Sequence, residues 1–233
     1  MITLYYGIQW LTSVLEVYPY LGLPDHLAQH GTWVQVTDHH FWQLVLALIA
    51  IFVLSRGHLG LWGFNLQNSD ESLHITRRFC YYYGIYFVGV SILLQLFVIG
   101  PPPLDHPWLA DHILGRLAFG FLFVGLSEEI LFRGLIHSYL AKFWTGVWSW
   151  RGYKMPVAGI IAALIFTLAH IGLRLSPFTV AHFFLPQLVQ AFVLGLFYSW
   201  AYHRTGRLLA PILTHNFSDG VLWLGEYLVI ALT

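Results

Sequence analysis

The sequence predicts an all-α, polytopic integral membrane protein with about seven transmembrane helices around a central polar cavity. Three observations predict it. Of 233 residues, 58% are hydrophobic and 9% charged, against roughly 25% charged in an ordinary soluble domain. The apolar residues gather into stretches close to the roughly 20 that a bilayer crossing needs. The Lys and Arg residues between those stretches fall almost wholly in alternate loops, as the cytoplasmic bias of basic residues requires.

The stretches are taken in chain order. Residues 2–22 are interrupted by Glu16 and Pro19, and either cross or lie along the interface. They lack the basic n-region and small-residue cleavage site of a signal peptide, so they are expected to be retained. Residues 40–56 form an unbroken apolar run after the turn "GLPDH" at 22–26. Residues 80–100 follow "NLQNSDES" at 65–72, and 112–140 follow "GPPPLDHP" at 100–107, both dense in turn formers. Residues 155–174, 181–203 and 208–232 complete the set, the last two separated by "RTGR" at 204–207. No linker is long enough for a soluble domain. Residues 1–111 therefore read as N-terminal membrane helices and 112–233 as a helical core, together one integrated membrane domain with a conical or bundle-like centre.

The basic residues orient it. Arg56, Arg77 and Arg78 lie in the second loop, Lys142, Arg151 and Lys154 in the fourth, and Arg204 and Arg207 in the sixth; the odd loops hold Arg174. With seven spans the N-terminus is cytoplasmic and the C-terminus external; with six, the N-terminus is external and the rest unchanged. Trp and Tyr near the ends, such as Trp108, Trp148 and Trp150, suit interfacial belts. Eleven Lys and Arg balance eleven Asp and Glu, which gives no reason to expect a nucleic-acid partner. The single cysteine, Cys80, excludes an internal disulfide and a Cys-based metal cluster.

Against this background "GLSEEILFRGL" at 125–135 stands out, with three formal charges in an apolar run. Each costs about 2.5–3.5 kcal/mol at a helix centre. Helical neighbours point about 100° apart, so Glu128 and Glu129 face different ways, whereas Glu129 and Arg133 are i, i+4 and form a pair. Glu128 is left without a partner from its own segment. "FTLAH" puts His170 in the 155–174 segment, on the helical face of Phe166, and "THNFSDG" puts His215 and Asp219 at i, i+4 in the last, with Asn216 turned away. Three segments carrying ionisable groups are accommodated most cheaply when those groups face one another. The bland alternative is a buried ion-pair network that only holds helices together.

The other histidines are read as structural. His137, His182 and His203 belong to the core or an interface, while His26, His30, His39 and His40 fall in an external loop and are expected to be solvated. Glu226 suits either the cavity or the outer interface.

A carboxylate beside a neutral imidazole can take a proton from water, while hydrogen-bond donors stabilise the oxyanion formed as that water attacks a peptide carbonyl. Ser127, Thr167 and Cys80 offer no recognisable nucleophile–base spacing. Glu, His, His and Asp are also zinc ligands, but the H-E-x-x-H pattern is missing. No cofactor is expected, with zinc the weaker alternative.

"EEILFR" resembles the EExxxR first motif of the CPBP family of CAAX-protease and bacteriocin-processing (Abi) membrane proteins. "FTLAH" resembles its FxxxH second motif, and "HNFSD" its third, a His followed four residues later by Asn or Asp. Three motifs in the family's order, each in a separate apolar segment, cover about residues 112–222. The resemblance implies a glutamic-type intramembrane endopeptidase acting on a hydrophobic or lipidated protein or peptide, in contact with membrane lipid. Glu128 and His170 would activate water, His215 and Asp219 would help form the oxyanion hole, and Glu129 and Arg133 would support the site. Prenyl-protein processing members usually carry Asn where this chain has Asp219. The aspartate must then be protonated, or orient His215, or leave donation to Asn216. Two other classes share the residues: a non-enzymatic immunity or scaffold protein, and a proton-coupled transporter. Glu128 lies slightly toward the cytoplasmic end of its segment, so access is expected from that side.

Overall fold

In lipid a chain must satisfy its backbone hydrogen bonds internally, which favours helices wherever the apolar runs extend. The computed structural model describes residues 1–22, 32–65, 67–87, 110–175 and 178–232, with 89, 93 and 97. It is mostly helical: α1 Ile2–Leu15, α2 Trp33–Ser55, α3 Ser69–Tyr86, a continuous α4 over 110–140, α5 Val157–Ala169, α6 Leu185–Thr205 and α7 Leu209–Leu232. Six of the seven predicted stretches hold a described helix, whereas the 80–100 stretch is described only at its start, within α3, and at 89, 93 and 97; most of 88–109, with the turn at 100–107 and Trp108, lies outside the described residues, as do His26 and His30.

Local signals set several boundaries. Thr32 caps α2 by accepting from the Gln35 amide, using an N–H that the first turn cannot satisfy. Asp70 and Glu71 sit in the first turn of α3, where the helix dipole favours acids. Gly206, with φ 69°, ends α6 in the left-handed conformation and turns the chain into α7. Among the described helices α2 alone is long and apolar enough to cross a bilayer by length and composition. Helices α6 and α7 have 21 and 24 residues, but polar side chains break their apolar runs. Helices α1 and α5 have 14 and 13 residues, short of a full crossing.

Two short antiparallel hairpins are additions to the predicted helices: β1 Val147–Trp150 with β2 Tyr153–Pro156, and β3 Gly172–Leu175 with β4 Phe178–His182. The first closes through Arg151 and Gly152, both at positive φ (48° and 83°), as a tight two-residue hairpin turn requires. Pro156 then caps α5, and β3 begins just after its end, so the hairpins truncate what reads in sequence as one long segment.

Apolar side chains face outward as well as into the core. Leu122, Val53, Val193, Leu168 and Leu228, from five helices, are exposed, whereas Glu129 and Arg133 are fully buried. Apolar outside with charge inside is the arrangement a lipid environment selects. The even loops also converge at one end. Arg207 donates to Asn65 O (2.7 Å) and Ser69 Oγ (2.8 Å), Arg204 pairs with Glu71 (3.0 Å), Lys142 lies over Trp62 (4.4 Å), and Arg151, Lys154 and Arg204 share a surface recess. At the other end Arg116 pairs with Glu226 at 3.9 Å, and Glu226 is not among the residues that line the cavity.

Near the centre the backbones of α4 and α7 approach closely. A Cβ on Gly125 would lie 2.8 Å from the Ile212 carbonyl oxygen and 2.9 Å from the Asn216 amide nitrogen. Gly125→Ala is therefore expected to lower stability in detergent by about 1–3 kcal/mol, as overpacking does, whereas Gly7→Ala, with nothing within 4 Å, should cost nothing. Thermal unfolding of the two purified variants checks this.

Candidate active site

The site is built on an irregular helix. Within α4 the hydrogen bonding widens to the π-type i→i+5 pattern over Phe119–Phe123 and again over Ile130–His137, and the α-helical Val124–Glu129 lies between. Such interruptions are frequent at functional sites because they re-aim neighbouring side chains. At the first junction Phe123 takes φ −120°, and the Gly125 amide donates sideways to Asn216 Oδ1 at 2.7 Å. That bond ties α4 to α7 one turn from the glutamates.

Glu129 and Arg133 form the predicted pair: Arg133 Nη1 donates to Glu129 Oε1 at 2.8 Å, both side chains being fully buried. The structure adds a second donor to the same oxygen, His215 Nδ1 at 2.7 Å. Arg133 also donates through Nη2 to the Gly195 carbonyl of α6 at 2.8 Å, and its guanidinium lies 4.8 Å from the Phe166 ring and 5.3 Å from that of Tyr198. Phe166 thus touches Arg133, His170 (4.8 Å) and His215 (5.7 Å), and joins α5 to the network.

Glu128 points away from that hub, as the helical rotation predicts. Glu128, His170, His215 and Asp219 together line one cavity of about 180 Å³, room for several waters. His215 Nε2 is 3.7 Å from Glu128 Oε2 and 3.7 Å from Asp219 Oδ2. His170 stands at the C-terminal cap of α5, not in the middle of a crossing. Its Nδ1–H donates to the Phe166 carbonyl at 2.8 Å. A carbonyl can only accept, so Nδ1 carries a proton, and in the neutral imidazole the bare lone pair is on Nε2.

One expectation is corrected. His39 and His40 are not solvated in a loop. Both lie in α2, His39 bonded to Glu16 (2.8 Å) and Gln9 (2.8 Å), and His40 bonded to Ser127 (2.8 Å) and 3.8 Å from Glu128, because the helix starts seven residues before the apolar run. Asn216 is not among the residues that line the cavity; its Oδ1 accepts from the Gly125 amide and ties α4 to α7. The cavity walls run past Gln187 near the start of α6 and Leu222 and Trp223 well along α7, away from the Arg204–Arg207 end.

His137 is buried against Tyr202 (5.1 Å), as expected, and His203 is exposed near the end of α6; the side chain of His182 lies outside the described residues. Tyr198 and the amides Gln187 and Gln190 also line the cavity. Tyr198 stacks on His215 with centroids 4.8 Å apart and planes 15° apart, while its hydroxyl bonds Ser218 at 2.8 Å. Two amides three residues apart in an apolar helix were a readable sign of a polar lining; Tyr198, among many aromatics, was not. Among the described residues no three His, Cys, Asp or Glu side chains are grouped to hold a metal ion. A larger groove of about 910 Å³ lies between α3, the first hairpin and α6, but its carboxylate, Glu71, is occupied by Arg204.

Residues 110–221 match the family described as type II CAAX prenyl endopeptidase Rce1-like. The match covers just under half of the chain, holds all three motifs, and places the stretch that carries the site in the family reached from them. No curated protein and no solved structure matches the chain.

Because Glu129 neutralises Arg133 and holds His215, Glu129→Gln is expected to leave a buried cation short of its counter-charge and to cost about 3–5 kcal/mol. Thermal unfolding in detergent should show the loss, with Glu128→Gln, whose carboxyl has no such partner, affected much less.

Proposed function

We propose, on the premise of that family match, that this chain is an intramembrane endopeptidase that hydrolyses a peptide bond of a hydrophobic or lipidated protein, the CAAX-type prenylated class being the first candidate. The observation that supports it best is the meeting of Glu128, His170 and His215, from three helices, at one cavity next to a buried ion pair.

In this reading Glu128 is the general base. A water between Glu128 and the bare Nε2 of His170 gives its proton to Glu128 and attacks the scissile carbonyl. The tetrahedral oxyanion is stabilised by His215, whose Nδ1–H is engaged by Glu129 and whose Nε2 faces the cavity. As an imidazolium, His215 is charge-compensated by Glu129 and Asp219, and Nε2–H is then available to the oxyanion. Asp219 acts by orienting this ring from 3.7 Å rather than by donating, which suits an aspartate where other members carry asparagine. On collapse the C–N bond breaks and Glu128 returns its proton to the leaving amine. Glu129 and Arg133 keep the base and the imidazole in register, and Phe166 fills the space between them. No metal or other cofactor enters the scheme.

Seven helices, with the basic loops cytoplasmic and the N-terminus inside, form the membrane body. Residues 1–111 flank the 112–233 core, and α2 from the first part packs on α4 of the second. Solvent and substrate reach the cavity from the end opposite the basic loops.

Glu128→Gln keeps shape and removes the base. With a quenched fluorescent farnesylated peptide ending in C-a-a-X, kcat is expected to fall by about two to four orders of magnitude, the usual weight of general acid–base catalysis, with the fold retained. Wild-type cleavage by this variant would end the assignment. Full inhibition by a chelator, reversed by zinc, would favour a metal mechanism instead.

A further inference from the structure

We infer that His40, contributed by α2 from outside the 110–221 stretch, is a positioning residue for Glu128. It accepts a hydrogen bond from the glutamate after the glutamate has taken the proton of water. This rests on Glu128 being the general base.

The argument is one of donors and acceptors. His40 Nδ1 is 2.8 Å from Ser127 Oγ, and Ser127 Oγ is 2.9 Å from the Val124 carbonyl oxygen. The carbonyl can only accept, so the serine hydroxyl points to Val124. The serine oxygen in turn accepts, and His40 Nδ1 must carry the hydrogen. In the neutral imidazole Nε2 is then bare, and it faces Glu128 Oε1 at 3.8 Å. Ser127 is fully buried with its hydroxyl proton already placed, so the pair does not form a serine nucleophile with its base. It forms a bracket that fixes one tautomer of the histidine.

Around His40 lie His39 (ring centroids 5.9 Å apart), the edge-on ring of Phe119 (5.0 Å), Ser127 and Glu128. Its side chain is 12% exposed and is not part of the cavity wall. At 3.8 Å there is no direct hydrogen bond between the two groups. One water can donate to both, or a small rotation brings them together once a proton lies on Oε1. The two oxygens of Glu128 are thereby distinguished: Oε2 faces His215 Nε2 at 3.7 Å, and Oε1 faces a lone pair. The proton taken from water rests on Oε1, hydrogen-bonded to His40, until it passes to the leaving amine. No proton is gained or lost across the cycle, and His40 itself stays neutral throughout.

A merely structural histidine needs only its bond to Ser127, which asparagine can reproduce; the inferred role needs an acceptor at the Nε2 position, which glutamine can supply. The full-length purified chain is assayed on the farnesylated C-a-a-X peptide. His40→Asn is expected to lower kcat by roughly a hundredfold, the cost of a misplaced reacting group, with KM and thermal midpoint unchanged. His40→Gln should recover most of that loss, and adding H40N to E128Q should cost nothing further. Wild-type kcat for H40N, or H40Q no better than H40N, beside an inactive E128Q, overturns this inference alone. An active E128Q overturns the reading beneath it, whatever the histidine variants do.

Discussion

A single carboxylate oxygen, Glu129 Oε1, accepts from Arg133 at 2.8 Å and from His215 at 2.7 Å, and the polar interior is arranged around it. Removing such ions from water costs several kcal/mol each, so the pair is poor at stabilising the fold on its own. Its surroundings offset part of that cost. Arg133 gains the Gly195 carbonyl and two aromatic faces, and His215 gains the stacked ring of Tyr198. Part of it stays: Glu129 Oε2 and Arg133 Nε have no hydrogen bond among the described residues. An interior tolerating that loss specifies position rather than stability, because it ties α4, α6 and α7 together at one point and turns Glu128 toward the cavity.

The backbone of α4 serves the same end. A regular helix would satisfy the Gly125 amide along its own axis. The widened turn at Phe119–Phe123 lets that amide reach Asn216 instead, and glycine lets the α7 backbone come within contact distance. Two helices in close register then carry Glu128 one turn from Gly125 and His215 beside Asn216. Helix α5 contributes differently: it stops at 13 residues, the His170 and Ile171 amides tighten onto the Thr167 and Leu168 carbonyls, and the Phe166 carbonyl accepts from His170 Nδ1 and fixes its tautomer.

The cavity wall reaches Gln187 near the start of α6, while Arg204 and Arg207 lie at the other end of that helix. Gln187 and Gln190 add amides to a wall that also carries Glu128, His170, His215 and Asp219. Amides hydrogen-bond water without adding a net charge, which suits a polar lining in a low-dielectric interior.

What the sequence determined by itself is what depends on spacing along one helix or on composition. The helices follow from apolar length, the basic end from alternating loops, and the opposed directions of Glu128 and Glu129 from 100° per residue. The pairing of Glu129 with Arg133 follows from i, i+4 spacing. The tertiary structure alone decided whatever depends on where one helix meets another. His215 sharing the oxygen of Glu129, Asn216 clamping Gly125, and Tyr198 stacking on His215 all join residues far apart in the chain. His40 is the clearest instance. It lies at the edge of an apolar run, where sequence reads it as loop, and only the packing of α2 against α4 carries its ring to Ser127 and Glu128, 87 and 88 positions further along the chain. Local periodicity states which way a side chain points from its own helix, and says nothing about what another helix brings to face it.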